Sequence, residues 1–192
     1  MSQAKTARSG GPPAAFRIAR KCPLGRHPLL DVFPELDRLP AARRLVPDAA
    51  DRRRLFGDTC AELVAEDMWM YIAPWKIPPD ARGRWKPVVT PAGSDCVVIG
   101  ASHLRESPSL TLYLDIFHEL CHVLQRWAGR ELWDRRYSYV RRPTEVEAYQ
   151  FVVDEGRRLA VDDAVLRDYL KVEWIDDDEF RQLLDAVGVT PA

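Results

Sequence analysis

The stretch between Pro108 and Gly129 constrains this chain more than any other. Ser107-Pro108 starts a helix and Gly129 stops one. Between them the apolar residues recur at helical spacing. On a helical wheel of residues 109–127, Tyr113, Ile116, Phe117, Leu120, Val123, Leu124 and Trp127 fall on one side. Asp115, His118, Glu119, His122, Gln125 and Arg126 fall on the other. An otherwise apolar helix with a polar stripe centred on two histidines is what a core helix carrying a site should show.

The stripe contains His118-Glu-Leu-Cys-His122. Four residues turn a helix by about 400°, so the two imidazoles stand one turn apart on one face. That spacing lets both bind one ion, and zinc is the expected ion. Glu119, one step around from His118, can reach water at such an ion without binding the ion itself. This makes it the expected general base for hydrolysis. A catalytic zinc takes three protein ligands and keeps one position open. The segment Pro143–Ala148 offers Glu145 and Glu147 as the third. On a helix these two point about 200° apart. Glu145 shares its side with Tyr149, Val152, Gly156, Leu159 and Ala160, whereas Glu147 shares its side with Gln150, Asp154, Arg157 and Arg158. Glu145 is therefore the expected ligand and Glu147 a solvated carboxylate.

The rest of the chain reads more coarsely. Residues 1–15 look like a flexible tail, and residues 16–192 read as one domain. Prolines at 23, 28, 34, 40 and 47 allow only short helical pieces. A helix follows Asp48, with Leu55, Phe56, Cys60, Leu63 and Val64 at helical spacing. Residues 69–73, 85–89 and 96–99 read as three short strands, and 101–107 as a loop. Residues 130–143 read as another loop, followed by a helix from Pro143 to about Ala160. A final helical pair covers 162–170 and 177–187, with Gly188 as a stop and Asp176–Glu179 as a dipole-favoured first turn. The fold expected is α+β: a small, mostly antiparallel sheet beside a helical layer.

HExxH followed by Glu145-Val-Glu-Ala148 on a second helix resembles the gluzincin metallopeptidases. With the strand Cys96–Ile99 ahead of Phe117-His-Glu-Leu-Cys-His122, residues 95–160 are similar to the ImmA/IrrE-type metallo-endopeptidases. The resemblance implies a zincin-like fold and zinc held by His118, His122 and Glu145, the glutamate counted back from Ala148. It also implies Glu119 as the catalytic residue and proteins such as transcriptional repressors as substrates. Two positions depart from the pattern. Cys121 stands where those proteases usually have glycine, and Tyr149 stands where many gluzincins have Asp or Asn orienting a ligand histidine.

A formal net charge of −1 argues against a nucleic-acid protein driven by bulk charge. No apolar stretch is long enough to span a bilayer, and the N-terminus has no apolar core of a signal peptide. The cytoplasm is the expected compartment, with four scattered cysteines as free thiols. Cys121 is expected in the core and His103 on the surface. Tyr137, Tyr139 and Tyr149 are candidate oxyanion donors, and Cys96–Ile99 is either a core strand or an edge strand that pairs with substrate. Peptide-bond hydrolysis at zinc, with a protein or peptide as substrate and no membrane partner, is the function expected. The alternatives are a non-catalytic zinc-binding regulatory or protein-interaction module, and hydrolysis of a non-peptide amide.

Overall fold

The computed structural model describes residues 17–34, 69–73, 88–90 and 96–190. The expected tail, the helix after Asp48 and the first half of the strand at 85–89 lie outside the described residues. The chain order is β1 (Gly25–Pro28), α1 (Leu29–Val32), β2 (Trp69–Ala73), β3 (Val88–Val89) and β4 (Cys96–Gly100). Then come α2 (Ala101–Glu106), α3 (Ser109–Trp127), a 3-10 turn (Tyr139–Arg141), α4 (Pro143–Arg158), α5 (Asp163–Leu170) and α6 (Asp177–Ala186). Helices and strands are thus mixed, as expected, with helices dominating.

The four strands lie in the order β1-β2-β4-β3. The outer pairings are antiparallel, while β2 and β4 run parallel from Trp69↔Cys96 to Ala73↔Gly100. Two of the three pairings are antiparallel, as a mostly antiparallel sheet requires, and the central parallel pairing was not expected. The turn signals marked the strands at 69–73 and 96–99, and the described end of the one at 85–89, but carried no spatial order: β3 forms its antiparallel pair on the far side of β4, which leaves β4 to run alongside β2. β4 is accordingly paired on both sides and is not the edge strand that one reading allowed. β1 was not anticipated at all, because Pro23, Pro28 and two charged or polar residues mask its pattern.

Burial alternates along β1 and along most of β4. Met70, Ile72, Val97 and Ile99 are fully buried and share the core with Leu29, Val32 and Phe33 of the N-terminal segment. From α3 come Leu112, Tyr113, Leu114, Ile116, Phe117, Leu120 and Val123, all at most 1% exposed. The helix ends at Gly129, whose φ of +73° is reached without strain only by a residue lacking Cβ. α4 begins with Pro143 at its first turn, and Ala160, at φ 58°, lies just past its end.

Residues 101–106 are helical rather than a loop. Ala101 and Leu104, three apart, are buried against the core, and Arg20 secures the helix end. Its Nη1 donates to the carbonyls of Leu104, Arg105 and Ser107 (3.3, 3.2 and 2.7 Å), and its Nη2 to Ser109 Oγ (2.7 Å). A cation meets the carbonyl end of a short helix, a stabiliser more than eighty positions away that no local pattern reveals. No helix among the described residues is long and apolar enough to cross a membrane.

Asp176–Glu179 is a reciprocal cap as well as a dipole-favoured turn. Asp176 Oδ1 accepts from the Glu179 N–H (2.8 Å), and Glu179 Oε2 accepts from the Asp176 N–H (3.3 Å). Asp176→Ala should cost about 1 kcal/mol, the usual price of an N-cap. Thermal unfolding checks this; a midpoint unchanged within error would show that the cap contributes nothing to α6.

Candidate metal centre and its cavity

α3 and the first turn of α4 bring His118, His122 and Glu145 together, all buried. The Nε2 atoms of the two histidines are 3.1 Å apart, and each is 3.4 Å from Glu145 Oε2. Four ligands around an ion at about 2.0–2.1 Å stand about 3.3 Å from one another in a tetrahedron. The three ligand atoms therefore already mark one face of such a site, and the group can hold a metal ion. Of the two carboxylates offered by the segment, the structure brings Glu145, and not Glu147, to the histidines.

His122 is oriented by a hydrogen-bonded chain. Its Nδ1 lies 2.8 Å from Gln125 Oε1. The Gln125 amide nitrogen donates to Thr144 O and Glu147 Oε2 (2.8 and 2.7 Å), so the amide oxygen must face the histidine. Nδ1 therefore carries the hydrogen, and the Nε2 lone pair is left for a ligand bond. Glu147 is consequently not simply solvated: it accepts from Gln125 and pairs with Arg130. Gln125, on the polar stripe three residues after His122, was legible as part of the site, but its partners on α4 were not.

His118 is held differently. Among the described residues its Nδ1 has no hydrogen-bond partner, and its ring packs at 4.4 Å on the ring of Tyr149. Where a carboxylate would accept the Nδ1 hydrogen, the tyrosine fixes the imidazole by packing alone. Tyr149 in turn shares a hydrogen bond with the Tyr139 hydroxyl (2.9 Å). Burial first, and then the Glu145 charge, push the pKa of both phenols upward, so both stay protonated as donors. Tyr137 is 43% exposed and is not part of this group. Cys121 lies in the core as expected, its thiol pushed up to about 12 chiefly by burial. Cys22 donates to Ala19 O and stays away from the cavity.

Glu145 Oε1 also accepts from Arg142 (3.3 Å). Burial alone would lower the His122 pKa, but the Glu145 carboxylate outweighs it and raises His122 to about 9. A group raised from 6.5 to about 9 stabilises the metal-free fold fully below pH 6.5, and that contribution is lost as pH rises through 9. A metal requires the neutral imidazole, so its uptake must displace this proton. Metal addition at pH 7.5 should release about one proton, and affinity should rise about tenfold per pH unit up to about pH 9. An indicator dye in weak buffer reads the release; none at pH 7.5 would contradict a charged His122.

The group opens on a cavity of about 700 Å³. Its lining includes His118, Glu119, Tyr139 and Tyr149, the apolar Val88, Leu110, Leu114 and Val165, and Tyr169 and Trp174. Glu119 is 8% exposed, and its carbonyl accepts from Thr90 Oγ1 (3.3 Å), tying α3 to the end of β3. His103 is not a surface residue. It lies half-buried in the cavity wall, its Nε2 2.7 Å from Asp115 Oδ2 and its Nδ1 2.8 Å from Ser107 Oγ. Tyr169 donates to the other Asp115 oxygen (3.0 Å). Nothing local to Tyr169 signals this contact, which spans 54 positions.

Comparison of the chain with protein-family models, with curated proteins and with solved structures finds no match.

Proposed function

We propose that this chain is a zinc-dependent metallopeptidase of the zincin type. The observation that carries the reading is the near-tetrahedral spacing of His118, His122 and Glu145, with His118 and Glu119 lining a cavity of about 700 Å³. Two imidazoles and one carboxylate are a zinc donor set, with a fourth position left for water or substrate. The resemblance of the HExxH helix and the Glu-x-x-Ala helix to ImmA/IrrE-type metallo-endopeptidases favours a protein substrate.

The chemistry supplied by such an ion is Lewis acidity, which brings the pKa of a coordinated water towards neutrality and polarises a carbonyl. Glu119 takes the proton of the attacking water and returns it to the leaving amine. Gln125 keeps His122 in the tautomer that binds, and Tyr149 fixes the plane of His118. Tyr139 and Tyr149, both protonated, offer a hydroxyl to the oxyanion from the cavity lining. Leu110, Leu114 and Val88 exclude water from the reacting bond.

Elemental analysis and a digestion assay test this together. The purified protein should carry about one zinc per chain and cleave an unfolded protein, lose cleavage to a chelator and regain it with zinc. Fully loaded protein that leaves a broad panel of unfolded proteins and peptides intact would instead favour the non-catalytic zinc-binding module.

A further inference from the structure

A second polar chain lines the same cavity, its Asp115 one turn before His118 on α3, and its order is chemically specific. Asp115, an acceptor when ionised, takes the hydrogen of His103 Nε2 (2.7 Å). In the Nε2–H tautomer Nδ1 is the acceptor nitrogen, and the Ser107 hydroxyl, 2.8 Å away, is placed to donate to it. Asp115 is itself fixed by the Tyr169 hydroxyl on α5 (3.0 Å). The backbone of Ser107 is fixed by Arg20 through its carbonyl (2.7 Å). Hydroxyl, base and orienting carboxylate thus stand in sequence, contributed by the α2–α3 junction, α2 and α3, and all three line the cavity.

We infer that Ser107 is a nucleophilic serine activated by His103 and Asp115, a second hydrolytic centre that needs no metal. A hydroxyl donating to a neutral imidazole whose other nitrogen is held by a carboxylate is the arrangement that lets serine attack a carbonyl. Ser107 also sits just ahead of the 19-residue α3, whose first N–H groups have no acceptor within the helix and can meet a developing oxyanion. Leu110 and Leu114, apolar residues of the lining, suit an ester with an apolar acyl group.

The step balances without any co-reactant but water. Ser107 Oγ bonds to the acyl carbon as its proton moves to His103 Nδ1. The carbon–oxygen bond to the alcohol then breaks, and that proton passes to the departing alkoxide. Water attacks the acyl-serine, gives a proton to Nδ1, and Oγ leaves with it as the acid is released. His103 Nε2–H stays on Asp115 throughout.

The test uses the full-length protein stripped of metal by a chelator, with a fluorophosphonate that bonds covalently to activated serines. Peptide mapping should place the adduct on Ser107. Ser107→Ala, checked by circular dichroism for folding, should carry no adduct. His103→Gln, checked by circular dichroism for folding, should react at least about a hundredfold more slowly, the range of a lost general base. A butyrate ester should be hydrolysed by the stripped wild type and not by Ser107→Ala. Glu119→Gln should label normally, which separates this centre from the metal site: loss of metal-dependent cleavage leaves the inference standing. No adduct on Ser107 in folded wild type, an adduct elsewhere only, or equal labelling of His103→Gln overturns it.

Discussion

Glu119→Gln is expected to keep its metal and lose peptide hydrolysis by roughly two to four orders of magnitude, the range of a missing general base. Glutamine has the shape of glutamate but cannot take a proton. Glu119 lines the cavity next to His118, while the ligand atoms come from His118, His122 and Glu145. The substitution therefore leaves every ligand in place, and its carbonyl bond from Thr90 involves the main chain and is untouched. Metal content by elemental analysis and turnover on one cleavable protein are the two readings required. Equal turnover in wild type and variant would remove Glu119 from the mechanism. Loss of metal would instead make it a ligand or a support of one.

The second large effect is on the metal. Glu145→Ala should lower affinity on the order of a thousandfold, as the share of one ligand in the roughly 10–16 kcal/mol of a tightly held zinc suggests. It removes the atom that stands 3.4 Å from both imidazoles. The same variant should lose the proton released on metal uptake, because the carboxylate that raises His122 is gone. Glu147→Ala and Gln125→Ala act one bond further out. They disturb the tautomer and angle of His122 through the Glu147–Gln125–His122 chain, and should weaken binding by about 10–100-fold. Competition titration against a chromophoric chelator ranks the three. The reverse order, with Glu147→Ala the more damaging, would overturn Glu145 as the ligand.

The two metal-site helices were legible because each has a period and a pair of ends. The 109–127 stripe fixed which side chains of α3 are polar and inward, and the 143–158 wheel separated Glu145 from Glu147. Both depend only on spacing along one helix. What lay outside reach depends on contacts between elements. β1, α2 as a helix and the seat of His103 all rest on partners from elsewhere in the chain: β2, Arg20 and Asp115 respectively. The strand order was out of reach for a related reason, since period-2 patterns say that a residue pairs but not with which strand. Glu147 is solvated as expected, but a wheel of α4 alone cannot see Gln125 approaching it from α3.

Residues 17–34 contribute a strand to the sheet, three side chains to the core and, through Arg20, four hydrogen bonds to the α2–α3 junction. This segment lies ahead of a long span of chain, yet it is welded to the body that carries the histidines. A chain nicked once between residues 35 and 68 would therefore not shed its N-terminal piece. The two fragments would migrate together until a denaturant parted them, as complementing halves of one protein do.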